Sequence, residues 1–529
     1  MSRETKIEIM DTTLRDGEQT SGVSFLPSEK LQIAKLLLEE LRVDRIEVAS
    51  ARVSEGELEG VKKITHWAYE KGFLDRVEVL GFVDTPKSVD WIVDAGAKVM
   101  NLLTKGSLNH LTHQLKKTPE THFEEIEEAI RYAQEKGIAV NVYLEDWSNG
   151  MRNSREYAMS MIRFLSKLPV KRIMLPDTLG LLCPEEVQVF LEGICREFPD
   201  VHFDFHAHND YDLSVANVLT AVKAGARGLH TTVNGLGERA GNAPLESVVA
   251  VIEDFTDFEL NIQENKIYRI SKLIEQFAGL RIPANKPVVG ENVFTQTAGV
   301  HADGDNKKNL YFSDLLPERF GRTRKYALGK TSGKANILKN LVELGISLEP
   351  DELAKVTQKI IELGDKKERV TTEDLPYIIS DVLQNNSIHK DIVIDGYHMV
   401  HSKGLKPSVQ LRVKIFHEFY EQNASGDGQY DSFMKALKKI YKSLDKELPK
   451  LTDFQISIPP GGKTDAFVEC VVTWDLGGRI FKTKGLDSDQ TIAAMKATEK
   501  MLNIIEQIKN NNKTEKKNPY GNEYSPIAW

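Results

Sequence analysis

His206 and His208 stand two residues apart near the end of the segment HFDFHAH (202–208). If that segment is a strand, both imidazoles leave the same face and can converge on one metal ion. A lone HxH pair predicts a metal only weakly, because histidines near strand ends often do no more than hydrogen-bond to neighbouring groups. The pair becomes informative when oxygen ligands can be placed beside it.

Asp16 and Asn242 are the candidate oxygen ligands, in RDGE (15–18) and at the end of GLGERAGN (235–242). Two imidazoles, one carboxylate and one amide oxygen suit an open octahedral site for Mg²⁺, Mn²⁺, Zn²⁺ or Co²⁺ better than a closed structural zinc site. An open site leaves room for a bidentate substrate and therefore implies catalysis. Asp16 could instead be a turn residue beside Gly17.

Short β-rich runs recur eight times before residue 240, separated by segments with the apolar spacing of helices, such as Leu31, Ala34, Leu38 and Leu41. Strand followed by helix, repeated in this way, is typical of a closed parallel (β/α)8 TIM barrel. A doubly wound open sheet is the structural alternative. The predicted strands are 6–13, 45–50, 76–82, 98–104, 139–145, 172–178, 202–208 and 229–234.

The barrel predicts where the chemistry collects, because the loops after the carboxyl ends of the strands form the active face. Strand seven would lie one strand away from strand one, which brings Asp16 and Asn242 towards the histidines. Arg15 could form a surface ion pair, or at this mouth it could stabilise an oxygen that gains negative charge. Strand middles are expected to be largely apolar. The other residues predicted at the strand ends are Leu80, Leu103, Tyr143, Glu145 and Thr178.

Composition excludes several classes of protein. With 41% hydrophobic and 28% charged residues, the 529-residue chain is typical of a multidomain soluble protein. A net charge of -9 argues against nucleic-acid or acidic-membrane partners. No secretory signal or membrane-spanning apolar run is found, and Cys183, Cys195 and Cys470 form no CxxC pair, so a reducing, cytoplasmic location is expected.

The second half of the chain predicts a different architecture. A pattern of long strand, Gly/Asp turn and helix occurs twice, at 408–444 and 465–505, and indicates an internal repeat within an α+β module. Helical stretches joined by proline-containing loops precede it. The predicted division is a barrel at 1–262, helical linker subdomains at 263–387, the α+β module at 388–508 and a flexible tail at 509–529.

Other motifs do not support alternative chemistries. GLGERAGN lacks the dinucleotide-binding glycine pattern. Gly329-Lys330-Thr331 resembles the end of a P-loop, but Arg324 occupies the position of the first glycine. The chain contains no GxSxG elbow. Covalent serine catalysis and nucleotide hydrolysis are therefore unsupported.

Four motifs resemble the signatures of one family: DTTLRDGEQTSG (11–22), HAHNDYDLSVAN (206–217), NGLGERAGN (234–242) and TQTAGVHADG (295–304). The family is that of the α-isopropylmalate, homocitrate and citramalate synthases, metal-dependent barrels that condense acetyl-CoA with a 2-oxo acid. The similarity spans residues 5 to about 508. It implies a divalent metal as cofactor and acetyl-CoA as co-substrate.

Within this family the chain is most similar to the citramalate-forming members, whose 2-oxo acid is pyruvate. The resemblance implies that Leu80, Leu103 and Tyr143 face the side chain of the keto acid. Three bulky groups would leave room for a methyl group but crowd an isopropyl group, although one methylene is worth only about 1–3 kcal/mol. Barrel packing is their alternative role. The expected reaction converts acetyl-CoA, pyruvate and water to (R)-citramalate and CoA.

The resemblance also implies roles for the remaining mouth residues. A metal held by the two histidines, Asp16 and Asn242 would chelate the keto acid through a carboxylate oxygen and the ketone oxygen. Arg15 would stabilise the alkoxide, and Thr178 would hydrogen-bond to the substrate carboxylate, unless its hydroxyl is simply satisfied at the strand end.

Two candidates exist for the base that removes a proton from the acetyl group. Glu145 lies at the predicted barrel mouth. His301 and Asp303, in GVHADGD, belong to a segment that in this family reaches the active site of the partner subunit, together with a tyrosine that matches Tyr311. Glu145 ranks slightly ahead as the base, with His301 as acid/base or as activator of water for thioester hydrolysis. The sequence leaves the assignment open.

The α+β module resembles the allosteric domain of the family, which binds the end-product amino acid at a dimer contact. The resemblance implies a homodimer or higher oligomer and, for a citramalate synthase, isoleucine as effector. Each candidate pocket residue could equally be an ordinary core or turn residue. These candidates are Tyr430, Asp431, Leu451, Phe454, Ile458 and Val468.

Two alternative functions stay open at this point. One is α-isopropylmalate synthase, with 2-oxoisovalerate as substrate and leucine as inhibitor. The other is a catalytically inactive barrel that senses an amino acid. The locally basic run PERFGRTRKY (317–326) could contact CoA phosphates or be a solvated face.

Overall fold

The computed structural model describes residues 6–305, 307, 310–344, 346–365, 370–383, 391–457 and 468–515. The chain divides into two compact units. The first unit comprises Met1–Thr295 and Asn309–Lys325, and the second comprises Gln296–Lys308 and Tyr326–Trp529.

Eight parallel strands of the first unit form a closed barrel in which each strand pairs with its neighbours in chain order and β1 pairs with β8. This confirms the predicted TIM barrel and excludes the open sheet. The strands are β1 (Glu8–Asp11), β2 (Arg45–Ser50), β3 (Val77–Phe82), β4 (Val99–Lys105), β5 (Ala139–Glu145), β6 (Ile173–Asp177), β7 (Phe203–Ala207) and β8 (Gly228–Thr231).

Helices between the strands cover the outside of the barrel. In the helix 119–135, for example, the Thr118 hydroxyl caps the amino end and Pro119 begins the first turn. Its apolar positions, among them Ile126 and Ile130, are buried in the main core. The helices are α1 (Pro27–Lys35), α2 (Glu55–Lys71), α3 (Lys87–Asp94), α4 (Leu108–His110), α5 (Pro119–Glu135), α6 (Trp147–Asn153), α7 (Arg155–Leu165), α8 (Pro184–Glu197), α9 (Ser214–Ala224) and α10 (Leu245–Phe255).

The inward faces of the strands carry charge, so the expectation of largely apolar strand middles was wrong for the barrel interior. Arg45 on β2 is 4% exposed and pairs with Glu78 (3.1 Å) and Asp204 (2.7 Å). Its Nε also pairs with Glu8 near the amino end of β1 (3.1 Å). Buried charges are costly unless they are paired, so each of these side chains depends on its partners inside the barrel.

The chain after the barrel forms shorter elements. A small core in the second unit, which includes Leu328, Ile337 and Val356, holds three of its helices together. The elements are α11 (Ile267–Ala278), β9 (Thr295–Gln296), α12 (Gly299–Asp305), β10 (Lys325–Tyr326), α13 (Lys334–Leu344), α14 (Pro350–Asp365) and α15 (Leu375–Leu383).

The carboxyl-terminal part contains two antiparallel three-stranded sheets, each followed by a helix, which is the predicted α+β repeat. Each predicted long strand is in fact a hairpin. Phe416 has a positive φ in the first turn, and Gly477 and Gly478 have positive φ in the second. The elements are β11 (Ile392–Val400), β12 (Ser408–Ile415), β13 (Glu418–Ser425), α16 (Gln429–Ser443), β14 (Lys450–Ser457), β15 (Val468–Leu476), β16 (Arg479–Asp487) and α17 (Gln490–Glu515).

Helix α17 continues to Glu515, past residue 509 where the sequence predicts a flexible tail. Residues 516–529 of that tail lie outside the described residues. Within the part of the chain that the structure describes, no helix combines the length and apolar character needed to cross a membrane.

Candidate active site and metal centre

Asp16, His206 and His208 form a buried cluster at the carboxyl-terminal face of the barrel. One ligand atom from each of the three side chains lies within 4.8 Å of the others. Asp16 follows β1 in its loop, His206 lies on β7, and His208 follows the end of that strand. Asp16 Oδ2 lies 3.5 Å from His206 Nε2. The structure therefore brings together the three strongest ligand candidates from the sequence.

Asn242 joins this cluster through its amide. Its Nδ2 donates to Asp16 Oδ1 (3.0 Å) and to the Leu236 carbonyl (3.0 Å). With both donors used, Oδ1 of the amide is buried and has no hydrogen-bond partner among the described residues. A buried acceptor without a donor is costly and points to a ligand that the protein groups themselves do not supply.

The loop after β8 places Asn242 by main-chain contacts with the end of β7. Ala243 N donates to the Ala207 carbonyl (3.0 Å), and Asn209 N donates to the Gly241 carbonyl (2.9 Å). Gly237 has a φ of +155°, and a Cβ there would overlap the Asn242 amide. The glycine is thus required by the close approach of the main chain to the ligand amide.

The charges of the cluster suit a cation. Burial alone would raise the pKa of the Asp16 carboxyl, but the Arg15 guanidinium beside it outweighs burial and holds the pKa well below its ordinary value. Burial lowers the pKa of His206 well below its ordinary value and also lowers the pKa of His208. An ionised carboxylate and two neutral imidazoles are the protonation states that bind metal.

Arg15 is held beside the cluster by two carboxylates. Its Nε pairs with Glu47 (2.5 Å) and its Nη1 pairs with Asp16 (3.1 Å). The guanidinium also lies over the Tyr143 ring, 5.8 Å from the centroid. Burial opposes its charge, but Glu47 and Asp16 raise the pKa of Arg15 above its ordinary value. Arg15 is therefore a fixed cation in the barrel mouth.

Strands β4 and β5 present matched pairs of residues to the barrel interior. Parallel pairing places Leu103 beside Tyr143, and two residues further along it places Lys105 beside Glu145. Alternate residues of a strand share a face, so the second pair faces the interior one layer nearer the mouth. The two strands thus build an apolar layer below a charged layer.

The apolar layer contains the three predicted substrate-contacting residues. Leu80, Tyr143 and the partly buried Leu103 pack with Met10 and Met174 in a cluster separate from the main core. They come from adjacent strands β3, β4 and β5. The structure therefore brings all three to one wall of the barrel interior.

Tyr143 is anchored from behind by a buried polar chain that sequence reasoning missed. Its hydroxyl lies 3.0 Å from His230 Nδ1, and His230 Nε2 lies 3.0 Å from Asp204 Oδ2. A carboxylate only accepts hydrogen bonds, so Nε2 of His230 donates to Asp204 while Nδ1 contacts the tyrosine hydroxyl. Arg45 in turn pairs with Asp204. The alternation of inward and outward residues on β8 was the available signal for His230.

Glu145 forms an ion pair with Lys105, which sequence reasoning also missed. Lys105 is 7% exposed, whereas the Glu145 side chain is 25% exposed. The predicted strand ended at residue 104, one residue before this lysine, whereas β4 ends at Lys105. The candidate base therefore has a buried cation beside it.

Thr178 follows β6 with its hydroxyl oxygen already engaged. Asp146 N donates to Thr178 Oγ1 (2.9 Å). The hydroxyl proton remains available for an acceptor, since a hydroxyl can donate one hydrogen bond while it accepts others. The side chain is thus set to act as a donor.

His301, Asp303 and Tyr311 are divided between the two units. His301 and Asp303 lie on α12 of the second unit, where Asp303 pairs with Lys307 (2.6 Å). Tyr311 belongs to the first unit and is 41% exposed. The barrel mouth residues all belong to the first unit.

Most of the candidate effector residues lie on α16 and β14. The Tyr430 ring stacks on Phe454 with centroids 5.1 Å apart, and its hydroxyl lies 2.7 Å from Thr498 Oγ1. Burial raises the pKa of Tyr430. Asp431 pairs with Lys435 (2.7 Å).

Of the other effector candidates, Leu451 packs partly buried against the carboxyl-terminal core, and Val468 is buried at the start of β15. Ile458 lies outside the described residues.

The basic run 317–326 has structural partners. Arg319 pairs with Asp254 (2.6 Å) and Glu264 (2.7 Å). Arg322 donates to the carbonyls of Val288 (2.8 Å) and Glu291 (3.1 Å). These arginines hold the 310–325 segment against the barrel unit.

Three known protein families match successive parts of the chain. Residues 6–274 match the HMGL-like family, residues 288–368 the homocitrate synthase post-HMGL domain-like family, and residues 369–506 the LeuA allosteric (dimerisation) domain. A putative (R)-citramalate synthase of Methanopyrus kandleri is 35% identical, over 87% of this chain and 88% of its own length. The chain belongs to the HMGL-like family, in the branch of the citramalate and 2-isopropylmalate synthases. It is an acyltransferase of the class that condenses acetyl-CoA with a 2-oxo acid.

Relatives of both substrate types are equally similar to this member of the family. The (R)-citramalate synthase of Methanocaldococcus jannaschii is 33% identical, over 94% of this chain and 99% of its own length. A probable 2-isopropylmalate synthase of Methanopyrus kandleri is 34% identical, over 94% and 98%. Overall identity therefore establishes the family but does not separate its substrates.

Proposed function

We propose that this synthase uses pyruvate and forms (R)-citramalate and CoA from acetyl-CoA, pyruvate and water. The observation that supports this choice is the packed wall of Leu80, Leu103 and Tyr143 inside the barrel. Tyr143 is 2% exposed and anchored at its hydroxyl, so its ring cannot readily turn aside for a larger substrate. A methyl group needs less room than the isopropyl group of 2-oxoisovalerate.

Asp16, His206, His208 and Asn242 would hold a divalent cation, with Mn²⁺, Mg²⁺, Zn²⁺ and Co²⁺ as the candidates. Their fit rests on the ionised carboxylate, the two neutral imidazoles and the unpaired amide oxygen. When bound, the ion would polarise the ketone of the substrate as a Lewis acid.

The protein's own groups have separate tasks in the condensation. Arg15 stabilises the negative charge that develops on the ketone oxygen, because its guanidinium is already fixed and charged. Thr178 donates its free hydroxyl proton to the substrate carboxylate. Glu145 takes a proton from the acetyl methyl group, since it is the carboxylate at the carboxyl end of β5.

His301, Asp303 and Tyr311 would complete the site from the partner subunit of a homodimer. In that role His301 acts as acid/base or activates water for hydrolysis of the thioester. The match to an allosteric dimerisation domain supports a dimer.

Isoleucine would bind the carboxyl-terminal domain and inhibit the enzyme. The stacked pair Tyr430 and Phe454 supplies an apolar surface, and Asp431 supplies a carboxylate for the amino group. Inhibition requires two states that isoleucine binds unequally.

The 2-isopropylmalate synthases among the relatives support a second candidate, with 2-oxoisovalerate as substrate. A thiol-release assay with acetyl-CoA and equal concentrations of pyruvate, 2-oxobutanoate and 2-oxoisovalerate separates the two. We expect the highest kcat/KM with pyruvate. A higher value with 2-oxoisovalerate would reject pyruvate specificity, and isoleucine binding without metal-dependent CoA release would indicate an inactive sensor.

A pair of variants on β4 tests the pocket wall directly. Leu103→Ala should shift the selectivity for pyruvate over 2-oxobutanoate by about 10- to 200-fold, the range that one methylene can supply. Leu102→Ala is the matched control, because Leu102 is buried on the outer face of the same strand. It should lower stability while leaving the selectivity unchanged.

A further inference from the structure

Lys105 is a buried lysine that faces the barrel interior at its mouth. Burial of an amino group is costly, and the ion pair with Glu145 offsets part of that cost. The lysine shares the inward face of β4 with Leu103, which belongs to the proposed pyruvate wall. Its ammonium group therefore lies one layer above the place where the keto acid would bind.

Three hydrogen bonds fix the main chain at Lys105 and the residue that follows it. His122 Nε2 accepts from Lys105 N (3.3 Å), the Tyr157 hydroxyl donates to the Lys105 carbonyl (2.9 Å), and Gly106 N donates to the Glu145 carbonyl (2.6 Å). A side chain on such a strand end is positioned before substrate arrives. Preorganised groups of this kind stabilise developing charge without a reorganisation cost.

The condensation needs a group that stabilises negative charge on the thioester oxygen, in addition to the group that does so at the ketone oxygen. Removal of a methyl proton from acetyl-CoA leaves an electron pair that is delocalised onto the thioester oxygen. A carboxylate base is too weak for this step unless that oxygen is stabilised at the same time.

Several other cations of the barrel unit are held by carboxylates that have no proposed role as the base. Arg15 pairs with Glu47 and Asp16, and Arg239 pairs with Asp210 through both Nε (2.8 Å) and Nη2 (3.1 Å).

Two further cations are also paired with carboxylates other than Glu145. Lys30 lies between Glu18 (2.6 Å) and Glu57 (2.5 Å), and Arg45 pairs with Glu78 and Asp204. The partner of Lys105 is the candidate base itself.

We propose that Lys105 is a catalytic residue that donates a hydrogen bond to the thioester oxygen of acetyl-CoA while Glu145 removes the methyl proton. Because the ammonium and the carboxylate are adjacent, one can donate to the carbonyl oxygen of an acetyl group while the other accepts a proton from its methyl group. An ammonium group has three donors, so Lys105 can keep its contact with Glu145 while it donates to the thioester.

The proposed step needs no electrons or protons beyond those of the two substrates and the protein groups. The C–H bond breaks, the proton moves to the Glu145 carboxylate, and the electron pair forms the enolate whose oxygen faces Lys105. The enolate carbon then bonds to the ketone carbon of the keto acid, and the thioester C=O bond forms again. The π pair of the ketone moves to its oxygen, which takes up the proton removed from the methyl group and becomes the hydroxyl of the product. No oxidant or further reactant is needed until water releases CoA. This inference rests on the proposed function.

The test compares Lys105→Met, which removes the ammonium but keeps an apolar stem, with Lys105→Arg, which keeps a cation. Lys105→Met should lower kcat by about 10²- to 10³-fold, the usual loss for one oxyanion donor. It should also lower deuterium uptake from D₂O into the acetyl methyl group in the presence of oxamate, an unreactive analogue of pyruvate. Lys105→Arg should recover at least tenfold of the kcat loss, and pyruvate affinity should change less than threefold.

Two controls separate catalysis from stability. Lys62→Met removes an exposed lysine that pairs with Asp94 (2.9 Å) and should leave kcat unchanged. If Lys105→Met does not fold, Lys105→Gln replaces it; its amide keeps a neutral donor that can also reach the thioester oxygen, so a smaller loss of kcat, about tenfold, is expected.

Three results would overturn the assignment: a neutral variant with kcat within threefold of wild type, a loss of pyruvate affinity as large as the loss of kcat, or a Lys105→Arg variant that recovers nothing. All assays use the 2-oxo acid that wild type prefers. A preference for 2-oxoisovalerate would therefore reject pyruvate specificity but not the proposed role of Lys105. A wild-type protein that is inactive with every 2-oxo acid would reject both proposals.

Discussion

The Tyr143 hydroxyl hydrogen-bonds to Nδ1 of His230 at 3.0 Å, inside a barrel where both side chains are almost completely buried. His230 is held in turn by Asp204. The ring that lines the proposed pyruvate pocket is thus fixed at its far end by a chain that starts on β7 and β8, on the side of the barrel that also carries the histidine ligands.

His230→Phe should destabilise the protein and loosen the pocket. The variant leaves a buried hydroxyl without an acceptor, which costs about 1–3 kcal/mol in the free energy of unfolding. Urea denaturation measures this loss. Tyr143→Phe added to His230→Phe removes the unpaired hydroxyl and should recover part of the stability, so purely additive losses would contradict the interaction.

Asp16→Ala should abolish metal-dependent turnover while the fold persists. The carboxylate contacts Arg15, His206 and Asn242, and its removal takes away the negative charge of the cluster. Thiol release before and after chelator treatment, with metal content and circular dichroism, checks this expectation. Asp94→Asn, an exposed carboxylate on α3, is the control. Full turnover in Asp16→Ala would remove this residue from the proposed ligand set.

Gly237→Ala should weaken metal binding by about 10- to 100-fold, the usual effect of disturbing a ligand's support. The added Cβ would displace the Asn242 amide. Gly72→Ala is the matched control: Gly72 also has a positive φ (+73°), but nothing lies within 4 Å of a Cβ there. Titration with metal measures the affinity of both variants. Equal affinities would show that the loop need not fit closely around Asn242.

Stability should fall as the pH drops from about 6.5 to about 4, in part because of His122. Burial, with a smaller contribution from Lys117, lowers the pKa of His122 from 6.5 to about 4. Between these values the unfolded chain binds a proton that the folded protein excludes, so the folded state loses about 3 kcal/mol at about 1.4 kcal/mol per pH unit.

Urea denaturation of wild type and His122→Gln at several pH values tests the contribution of His122. The variant lacks this titrating group, and its stability should depend less steeply on pH over this range. Parallel pH dependences in the two proteins would contradict it.

Phe454→Ala should weaken inhibition by isoleucine at least tenfold. The substitution removes the ring that stacks on Tyr430 and so opens the proposed effector pocket. Phe419→Ala, at an exposed position on β13, should leave the inhibition curve unchanged. The measurement is the isoleucine concentration for half-inhibition, relative to each variant's own uninhibited rate. A curve that moves equally in both variants would contradict a specific pocket.

The barrel and the ligand cluster were predictable because both follow simple periodicities. Strands alternate with helices, and polar residues such as Asp16 and His206 fall in the loops or at the strand ends where a barrel collects its chemistry. Four motifs in family order added the expected reaction.

Sequence analysis missed the buried polar groups inside the barrel because they interrupt otherwise apolar strands. The sequence does not show which charge pairs with which. Arg45 and Asp204 are 159 residues apart in the chain and meet only when the barrel closes. Lys105 was missed for a different reason, since the predicted strand stopped one residue short of it. The two-residue alternation from Leu103 to Lys105 would have placed it. The hairpin at Gly477 and Gly478 was marked by its glycine pair but was interpreted as part of one strand.

The hydrogen bond between Asp16 and Asn242 joins positions 226 residues apart, across the seam where the first and last strands of the barrel meet. A metal ion with ligands on both sides of that seam would contribute its binding free energy to closure of the barrel, which joins chain positions that are far apart in sequence. A chain that ends before residue 242 would keep His206 and His208 but lack the Asn242 amide and the loop that supports it. Metal affinity should therefore be highest only once β1 and β8 have paired.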